Sequence, residues 1–399
     1  MIKVAIVDDG VKEDKNLIIR KSICIESNLH IHKASKKELE YSVHGSNCAR
    51  IINNYYSKIE IYSIKILKQN TCATKKQLIR AIEWCILHHI KVINMSLGTI
   101  DFRDFQEIEM VLCKAHQQGI IMVAACHNSN IFTLPASSKY VIGVKSIEGL
   151  NEGRYYYHSH PLDGIDITAC SQHKLKNSVE KTSMCNSYAA PMITAEVCRI
   201  LNENKHLSLN NVRKKIVKDS VNGKLEIEKA KKQDEKDYYY ISSCKYNEYN
   251  ICKDLDIPII VLYDDNMKNV EEMMKEIKKQ FYQDDYNLLT ITTEQHYENS
   301  VDEILPIIKK TEEKQIKDRL EKLYAVYNNH IFILGCNKKW KIQAILNEVE
   351  VDLIVLPFKY EKNGLNQMFR NVKTIGDIYT IYGDNGREVY QKIVEVLSK

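Results

Sequence analysis

Four short segments in the first half of the chain carry side chains suited to acid–base and nucleophilic chemistry. In chain order they contain Asp8, His44, Asn128 and Ser187. A carboxylate that orients a histidine, a histidine that takes a proton from serine, and an amide that stabilises an oxyanion together form a set suited to acyl transfer. The order Asp, His, Ser carries information, because the same triad geometry occurs on unrelated folds in different chain orders.

The predicted elements place these side chains at strand ends and helix starts. Asp8 and Asn128 each follow an apolar strand, whereas His44 and Ser187 each lie at the start of a predicted helix. Taken alone, each segment is also typical of ordinary structure, such as an Asp-Gly turn or a serine N-cap. Ligands of open α/β sheets bind at the carboxyl ends of the strands, so we expect the four side chains to converge there.

Together, the four segments resemble those of subtilisin-like serine peptidases over about residues 1–215. The matching stretches are Val4-Ala-Ile-Val-Asp8-Asp-Gly10, His44-Gly-Ser-Asn-Cys-Ala-Arg-Ile-Ile52, Val123-Ala-Ala-Cys-His-Asn128 and Asn186-Ser-Tyr-Ala-Ala-Pro191. The resemblance implies peptide hydrolysis in which Asp8 orients His44 and His44 takes and returns the proton of Ser187. It also implies that Asn128 and the Ser187 N–H stabilise the oxyanion.

Two serines compete for the role of nucleophile in this resemblance. Ser187 precedes Pro191 by four residues, which is the family spacing, whereas Ser183 lies in a Thr-Ser-Met stretch with no Ala-Ala-Pro after it. Ser187 is therefore the predicted nucleophile. Cys185 and Asn186 stand where the family has Gly and Thr, so an inactive, peptide-binding relative is an alternative.

The segment 93–98 resembles the strand whose backbone pairs with substrate in this family. An extended peptide would take its hydrogen bonds from this open edge, and Ser96, Leu97 and Gly98 are the predicted substrate contacts. A buried strand that ends in a turn is the alternative interpretation. His127 stands where the family has Gly, so we expect either a re-routed loop or a histidine that lines the substrate pocket.

Composition is that of an ordinary globular protein. The chain has 399 residues, a net charge of +5 and 27% charged residues without a concentrated basic block, so we predict neither a nucleic-acid nor a membrane partner. It begins at once with a strand, without a recognisable signal or pro-segment, and its 12 cysteines show no Cys-x-x-Cys spacing. We therefore expect reduced thiols and a cytoplasmic location.

The chain length and the rhythm of the predicted elements indicate two domains. Residues 1–220 alternate apolar strands with helices, which predicts a subtilisin-like, mainly parallel sheet with helices on both faces. The predicted strands are 3–7, 58–67, 92–96, 120–125 and 140–144, and the predicted helices are 44–54, 75–89, 105–118 and 187–201. Residues 221–256 are charged and Tyr-rich and are interpreted as a connector.

Residues 257–399 resume the strand–helix rhythm and are predicted to form a smaller, Rossmann-like three-layer α/β domain for recognition or assembly. Its predicted helices include one over 301–327.

The sequence predicts no metal and no cofactor. The pairs His30, His32 and His158, His160 would each share a strand face, but no Cys or acidic partner stands at a telling spacing, so surface histidines are the interpretation.

The functional hypothesis is an intracellular serine endopeptidase that acts on a peptide or protein substrate. The layout of a peptidase domain joined to an extra α/β domain suggests limited processing, such as leader removal from a ribosomally made precursor peptide. A general cytoplasmic protease and an inactive peptide-binding scaffold are the alternatives. The oligomeric state is left open.

Overall fold

The computed structural model describes residues 1–68, 72–158, 163–175, 181–226, 255–292, 303–304, 316–327, 329–361 and 378–398. The chain divides into two compact units, Met1–Tyr246 and Asn247–Lys399. Most of the predicted connector 221–256 lies outside the described residues, so the three-part domain division, with its boundaries and roles, stays a prediction.

The first unit is built on a nine-stranded sheet with the spatial order β3-β2-β4-β1-β5-β6-β7-β9-β8. The pairs β2–β3 and β8–β9 are antiparallel, and the other neighbours pair in parallel. The strands are β1 (Ile2–Asp8), β2 (Ile19–Ile25), β3 (Ile31–Lys33), β4 (Ile59–Lys65), β5 (Val92–Met95), β6 (Ile121–Ala125), β7 (Val141–Ser146), β8 (Tyr155–Tyr157) and β9 (Ile167–Ala169).

Helices cover both faces of this sheet. They are α1 (Lys36–Leu39), α2 (His44–Tyr55), α3 (Lys75–Leu87), α4 (Phe105–Gln117), α5 (Asn186–Glu203) and α6 (Leu209–Asp219). Because side chains alternate along a strand, Val4 and Ile6 of β1 pack in one core with α2, α5 and α6, whereas Ala5 and Val7 pack in a second core with α3 and α4. The predicted fold, a mainly parallel sheet between two helical layers, is confirmed.

The strands and helices predicted in residues 1–220 are present, with bounds shifted by one or two residues at most ends. The sequence missed three strands of three residues each, β3, β8 and β9, because so short a segment carries too little periodicity to be read. It also missed β2, whose first half is partly exposed, and the helices α1 and α6. None of the described helices is long and apolar enough to cross a membrane.

The second unit contains a six-stranded sheet in which all neighbours pair in parallel, in the order β12-β11-β13-β10-β14-β15. Its described strands are β10 (Ile259–Tyr263), β11 (Leu288–Thr292), β12 (Glu303–Ile304), β13 (Ile331–Cys336), β14 (Leu353–Leu356) and β15 (Tyr379–Tyr382). Its described helices are α7 (Met267–Gln283), α8 (Ile316–Tyr327), α9 (Lys339–Glu348) and α10 (Gly386–Leu397).

Both faces of this second sheet are buried. Ile260 and Leu262 pack in one core with α7 and α10, and the alternate positions Val261, Phe332 and Leu334 are buried on the opposite face. This arrangement is the predicted α/β unit. Its strand order differs from the dinucleotide-binding order, in which the first strand lies beside the second, because β13 lies between β10 and β11.

One helix prediction in the second unit is wrong at its start. The sequence predicted a helix over 301–327, but Glu303–Ile304 pairs as a strand with β11 and the helix begins at Ile316. Short apolar segments such as 301–308 cannot be assigned to strand or helix by periodicity alone. The helix α9 was not predicted.

Candidate active site

Asp8 and His44 form the tightest contact of the predicted site. Asp8 is the last residue of β1 and is fully buried, and His44 is the first residue of α2. The imidazole Nδ1 lies 2.9 Å from both carboxylate oxygens of Asp8. Because a carboxylate only accepts hydrogen bonds, Nδ1 carries the proton and Nε2 is the nitrogen that faces the rest of the site.

Asp9 and two glycines fix the start of α2 against the end of β1. The Asp9 carboxylate accepts from the backbone N–H of Gly45 at 2.7 Å and of His44 at 3.1 Å, which caps the helix. Gly10 has φ +102°, a conformation that favours glycine. A Cβ on Gly45 would collide with the carbonyl oxygen of Gly10. The Asp-Asp-Gly and His-Gly stretches are therefore one packing unit that positions the imidazole.

Ser187 lies in the first turn of α5, and its carbonyl has an unusual partner. A helical carbonyl accepts from the N–H four residues later, but for Ser187 that residue is Pro191, which has no N–H. The hydroxyl of Ser96 replaces the missing donor, at 2.9 Å from the Ser187 carbonyl oxygen. Asn94 in turn donates to the Ser96 hydroxyl at 3.2 Å. The end of β5 therefore holds the start of α5.

The predicted triad residues converge around one buried thiol. The Sγ atom of Cys48 lies 3.9 Å from the Asp8 carboxylate and 3.9 Å from the Ser187 carbonyl oxygen. The ring of Tyr188 stacks on that of His44 with centroids 5.0 Å apart. Asp8, His44 and the start of α5 therefore surround one small volume at the carboxyl end of the sheet.

The hydroxyl of Ser187 and the imidazole of His44 have other hydrogen-bond partners than each other in this structure. The Oγ of Ser187 donates to the carbonyl of Ser96 at 3.4 Å, and His44 instead hydrogen-bonds the thiol of Cys185. In catalytic serines without bound substrate, this hydrogen bond is often long or poorly aligned and tightens in the substrate complex.

The environment of His44 favours its protonated form. Burial opposes the charge, but hydrogen bonds to Asp8 and Cys185 and the nearby charges of Asp8 and Asp9 raise the pKa of His44 to about 10. For Cys185, burial acts against ionisation, yet the hydrogen bond to His44 lowers the pKa of the thiol below its usual range. The site therefore contains an imidazole–thiol pair next to the predicted nucleophile.

Asn128 lies beside the N-terminus of α5. Its side-chain oxygen accepts from the backbone N–H of Asn186 at 3.1 Å, which leaves Nδ2 as the free end of the amide. In the part of the chain that the structure describes, the Ser187 N–H has no backbone or side-chain acceptor, as expected in the first turn of a helix. These two donors are the pair expected for an oxyanion.

Asn186, at the position of a family Thr, connects three segments. Its side chain donates to the carbonyl of His127 at 2.8 Å and to Asn130 at 3.2 Å. It also accepts from the backbone N–H of Ser146 at 2.7 Å. This buried amide ties the end of β7 and the loop after β6 to the residue before the predicted nucleophile.

The backbone conformation at His127 does not require glycine. Among the described non-glycine residues of this loop, positive φ occurs at Asn130, at 55°, and not at His127. The His127 ring is exposed and accepts from the Ser129 N–H at 3.1 Å. Its place in the substrate pocket stays a prediction.

The predicted substrate contacts lie directly after β5. Ser96 is buried and tied to Ser187, whereas Leu97 is half-buried and Gly98 is exposed. A Cβ on Gly98 would lie 2.6 Å from the carbonyl oxygen of Leu134, so a close approach of two backbones requires glycine here. Substrate binding by these residues stays a prediction.

His173 is a positioning residue that the sequence reasoning missed. It is fully buried, and its Nε2 donates to the carbonyl of Tyr188 at 2.9 Å while Tyr55 donates to its Nδ1 at 2.9 Å. Burial lowers its pKa, which keeps the ring neutral. No local spacing marks it, because its partners lie on α2 and α5.

Two groups of side chains in the described residues have the spacing of a metal site. Asp8, His44 and Cys48 form one of them, with ligand atoms within 4.8 Å of one another. Since all three face the predicted active site, the hydrogen bonds among them account for their proximity. The second group lies elsewhere on the sheet, at its β3 edge.

Comparison with known proteins shows the family to which the chain belongs. The chain belongs to the subtilase family, since the Peptidase_S8 model of that family matches residues 1–237. The resemblance seen in the sequence is confirmed.

Curated relatives are similar at moderate identity. The chain is 28% identical over 210 residues to the minor extracellular protease Epr of Bacillus subtilis (strain 168), a match that covers 48% of this chain and 31% of the relative. It is 27% identical over 176 residues to subtilisin DY of Bacillus licheniformis, covering 41% of this chain and 62% of that protein. The chain spans less than two thirds of the length of both relatives.

Among solved structures, sphericase is similar with a TM-score of 0.44 and 18% identity. The match covers 53% of this chain and 80% of sphericase.

Proposed function

We propose that this chain is a serine endopeptidase with Ser187 as nucleophile, His44 as general base and then general acid, and Asp8 as the group that orients His44. The observation that carries the proposal is the contact of Nδ1 of His44 with both oxygens of buried Asp8, beside the start of α5. This leaves Nε2 to take a proton.

In the proposed reaction, the Ser187 hydroxyl turns from the Ser96 carbonyl to Nε2 of His44 and attacks the peptide carbonyl carbon. His44 takes the hydroxyl proton and passes it to the leaving amine, and the C–N bond breaks to leave an acyl-enzyme. Water then attacks the ester with the same base, which releases the acid product and restores Ser187. Nδ2 of Asn128 and the Ser187 N–H stabilise the oxyanion in both halves.

Single substitutions test the assignment of the nucleophile. Ser187→Ala should lower kcat on a fluorogenic peptide library by up to about 10⁶-fold, the loss that the equivalent change causes in subtilisin itself. Ser183→Ala is the matched control; because Ser183 hydrogen-bonds the Cys185 thiol, it should change kcat far less than Ser187→Ala does. Full activity in Ser187→Ala, or its loss in Ser183→Ala with folding intact, would overturn the proposal.

The narrower proposal is limited processing of a partner such as a precursor peptide. Its support is a second α/β unit with its own core, all of it beyond the family match. The full chain should then cut unfolded casein slowly and at few positions. Rapid degradation of casein into small peptides, unchanged after deletion of residues 245–399, would favour a general protease instead.

A cytoplasmic location is likewise a proposal, tested by fractionation of the source cells. None of the described cysteines is in a disulfide, the state expected in a reducing compartment.

A further inference from the structure

Four side chains with metal-binding atoms converge at the β3 edge of the first sheet, away from the predicted active site. They are Cys24, Glu26, His32 and Glu38, and their ligand atoms all lie within 4.8 Å of one another. Nε2 of His32 lies 2.8 Å from Oε1 of Glu38, and Sγ of Cys24 lies 3.6 Å from Oε1 of Glu26.

The backbone brings these residues together from three elements. Cys24 on β2 and His32 on β3 are directly opposite in an antiparallel pair, so their side chains share one face. Glu26 follows Cys24 by two residues, just beyond the end of β2. Glu38 belongs to α1, whose capping box fixes its carboxylate: Ser35 donates to Oε2 from its N–H at 2.7 Å and from its hydroxyl at 2.6 Å.

One side of the cluster is buried in the protein, and the other side is open to solvent. Cys24 is only 2% exposed and packs with Ala34 and Leu39, whereas about a third of the His32 and Glu38 side chains is exposed. A cation from solvent could therefore reach the ligand atoms of His32 and Glu38, whereas the Cys24 thiol is shielded from bulk solvent.

The charges around the cluster are compatible with a cation. The carboxylates of Glu26 and Glu38 and the thiol of Cys24 have two lysines, Lys65 and Lys68, as neighbours. Lys68 pairs with Oε2 of Glu26 at 2.5 Å and leaves Oε1 facing Cys24. Lys65, opposite Cys24 in the β2–β4 register, donates to the backbone carbonyl of Asp9 at 2.6 Å.

We propose that Cys24, Glu26, His32 and Glu38 form a structural Zn²⁺ site. One sulfur, one imidazole and two carboxylates are ligands that Zn²⁺ accepts, whereas Ca²⁺ and Mg²⁺ take oxygen ligands. Tetrahedral zinc with bonds of about 2.0–2.3 Å keeps its ligand atoms about 3.3–3.8 Å apart. The Cys24–Glu26 distance fits that range, and the His32–Glu38 pair needs only a small opening.

Binding would proceed by exchange of a proton for the metal. Cys24 loses its thiol proton to solvent and its thiolate donates an electron pair to Zn²⁺. The proton that Nε2 of His32 shares with Glu38 moves through solvent to Nδ1, and the freed lone pair of Nε2 binds the metal. Four protein ligands close the coordination sphere, which is the pattern of a structural zinc site.

The site would stabilise the segment that leads to His44. Leu39 of α1 and Ser42 both lie within 3 Å of where a Cβ on Gly10 would stand, two residues after Asp8. Metal that joins β2, β3 and α1 would therefore stabilise this packing around Gly10.

Cobalt substitution tests the site on the full chain. After removal of metal by a chelator, Co²⁺ should bind and give a thiolate-to-cobalt absorption band that Zn²⁺ then displaces. The band should disappear in Cys24→Ser and persist in Cys48→Ser, which probes the other cluster. His30→Ala is the matched control, because that exposed ring stacks on His32 at 5.8 Å without belonging to the cluster.

Glu38→Gln covers the case in which Cys24→Ser fails to fold. Gln keeps the capping box but lacks the anionic ligand, and it should weaken Zn²⁺ binding in calorimetry by more than the roughly 10- to 100-fold that loss of an outer partner costs. The proposal is overturned if the folded chain binds no metal, if the cobalt band follows Cys48 instead of Cys24, or if Glu38→Gln binds Zn²⁺ as tightly as the unaltered chain.

Discussion

At the scale of single residues, the state of His44 decides how the proposed enzyme works. Its imidazole is held by Asp8 on one side and meets the thiol of Cys185 on the other. A base must be unprotonated to take the proton of Ser187, and a pKa of about 10 makes that form scarce at neutral pH. We therefore expect Cys185, in place of a family glycine, to help set the working pH of the proposed enzyme.

The pH profile of kcat/KM should rise through the alkaline range, because His44 becomes a base only as pH approaches its raised pKa. Cys185→Gly removes one of the interactions that raise this pKa, so the rising limb should move to lower pH. Cys185→Ser, which keeps a hydrogen-bonding group that does not ionise, should shift it less. A limb that is identical in all three proteins would contradict this role of the thiol.

Asn128 offers a second test at this scale. Asn128→Ala removes the predicted side-chain donor to the oxyanion and should lower kcat by about 10²–10³-fold with little change in KM, a magnitude measured in subtilisin itself. Ser129→Ala is the control, because Ser129 is an exposed residue of the same loop whose hydrogen bond to His127 is made by its backbone N–H. A loss expressed mainly in KM would assign Asn128 to substrate binding.

At the scale of elements, the contact between the end of β5 and the start of α5 depends on a hydrogen bond that a side chain donates in place of a missing backbone N–H. Ser96 supplies to the Ser187 carbonyl the hydrogen bond that Pro191 cannot. Ser96→Ala should therefore lower the free energy of unfolding by roughly 1–3 kcal/mol, the cost of an unsatisfied buried acceptor.

The double mutant Ser96→Ala/Pro191→Ala gives this prediction its control. Alanine at 191 restores a helical N–H, so loss of the Ser96 hydroxyl should cost less in that background, as measured by urea unfolding. Strict additivity of the two substitutions would show that the Ser96 hydroxyl does not replace the proline's missing donor.

A buried ion pair between β7 and the residue Asp163 is a second contact on which the stability of the first unit should depend. Lys145 and Asp163 lie 2.9 Å apart with side chains only 6% and 5% exposed. Lys145→Met leaves Asp163 buried without its partner and should cost roughly 3–5 kcal/mol of stability. Arg20→Ala breaks the more exposed Arg20–Glu60 pair and should lower stability far less, because solvent screens the two charges. Similar losses of stability in Lys145→Met and Arg20→Ala would contradict the expectation that burial makes an ion pair costly to break.

At the scale of the whole molecule, the features that could be predicted from the sequence are the helices and strands that a local pattern of residues encodes. The helices that begin at His44 and Asn186, and the strand that ends at Asp8, each carry their own signal in a single stretch of residues. The candidate triad could be chosen because these short segments, taken together and in chain order, resemble those of one family. The two helical layers followed from the strand–helix rhythm.

Features made by distant contacts could not be predicted. His173 is recognisable only once Tyr55 and Tyr188 lie beside it. His32 was interpreted as a surface histidine because its partners Cys24 and Glu38 come from another strand and from a four-residue helix that the sequence missed. In the second unit, β13 inserts between β10 and β11, an order that the rhythm of elements does not specify.

Mapping of the reactive serine tests the central claim most directly. The full chain would be treated with a fluorophosphonate probe, which reacts with activated serines, and the labelled residue would be located by mass spectrometry. We predict label on Ser187 that disappears in His44→Ala. Label on Ser183 or on another residue, or no label on the folded protein, would contradict the account.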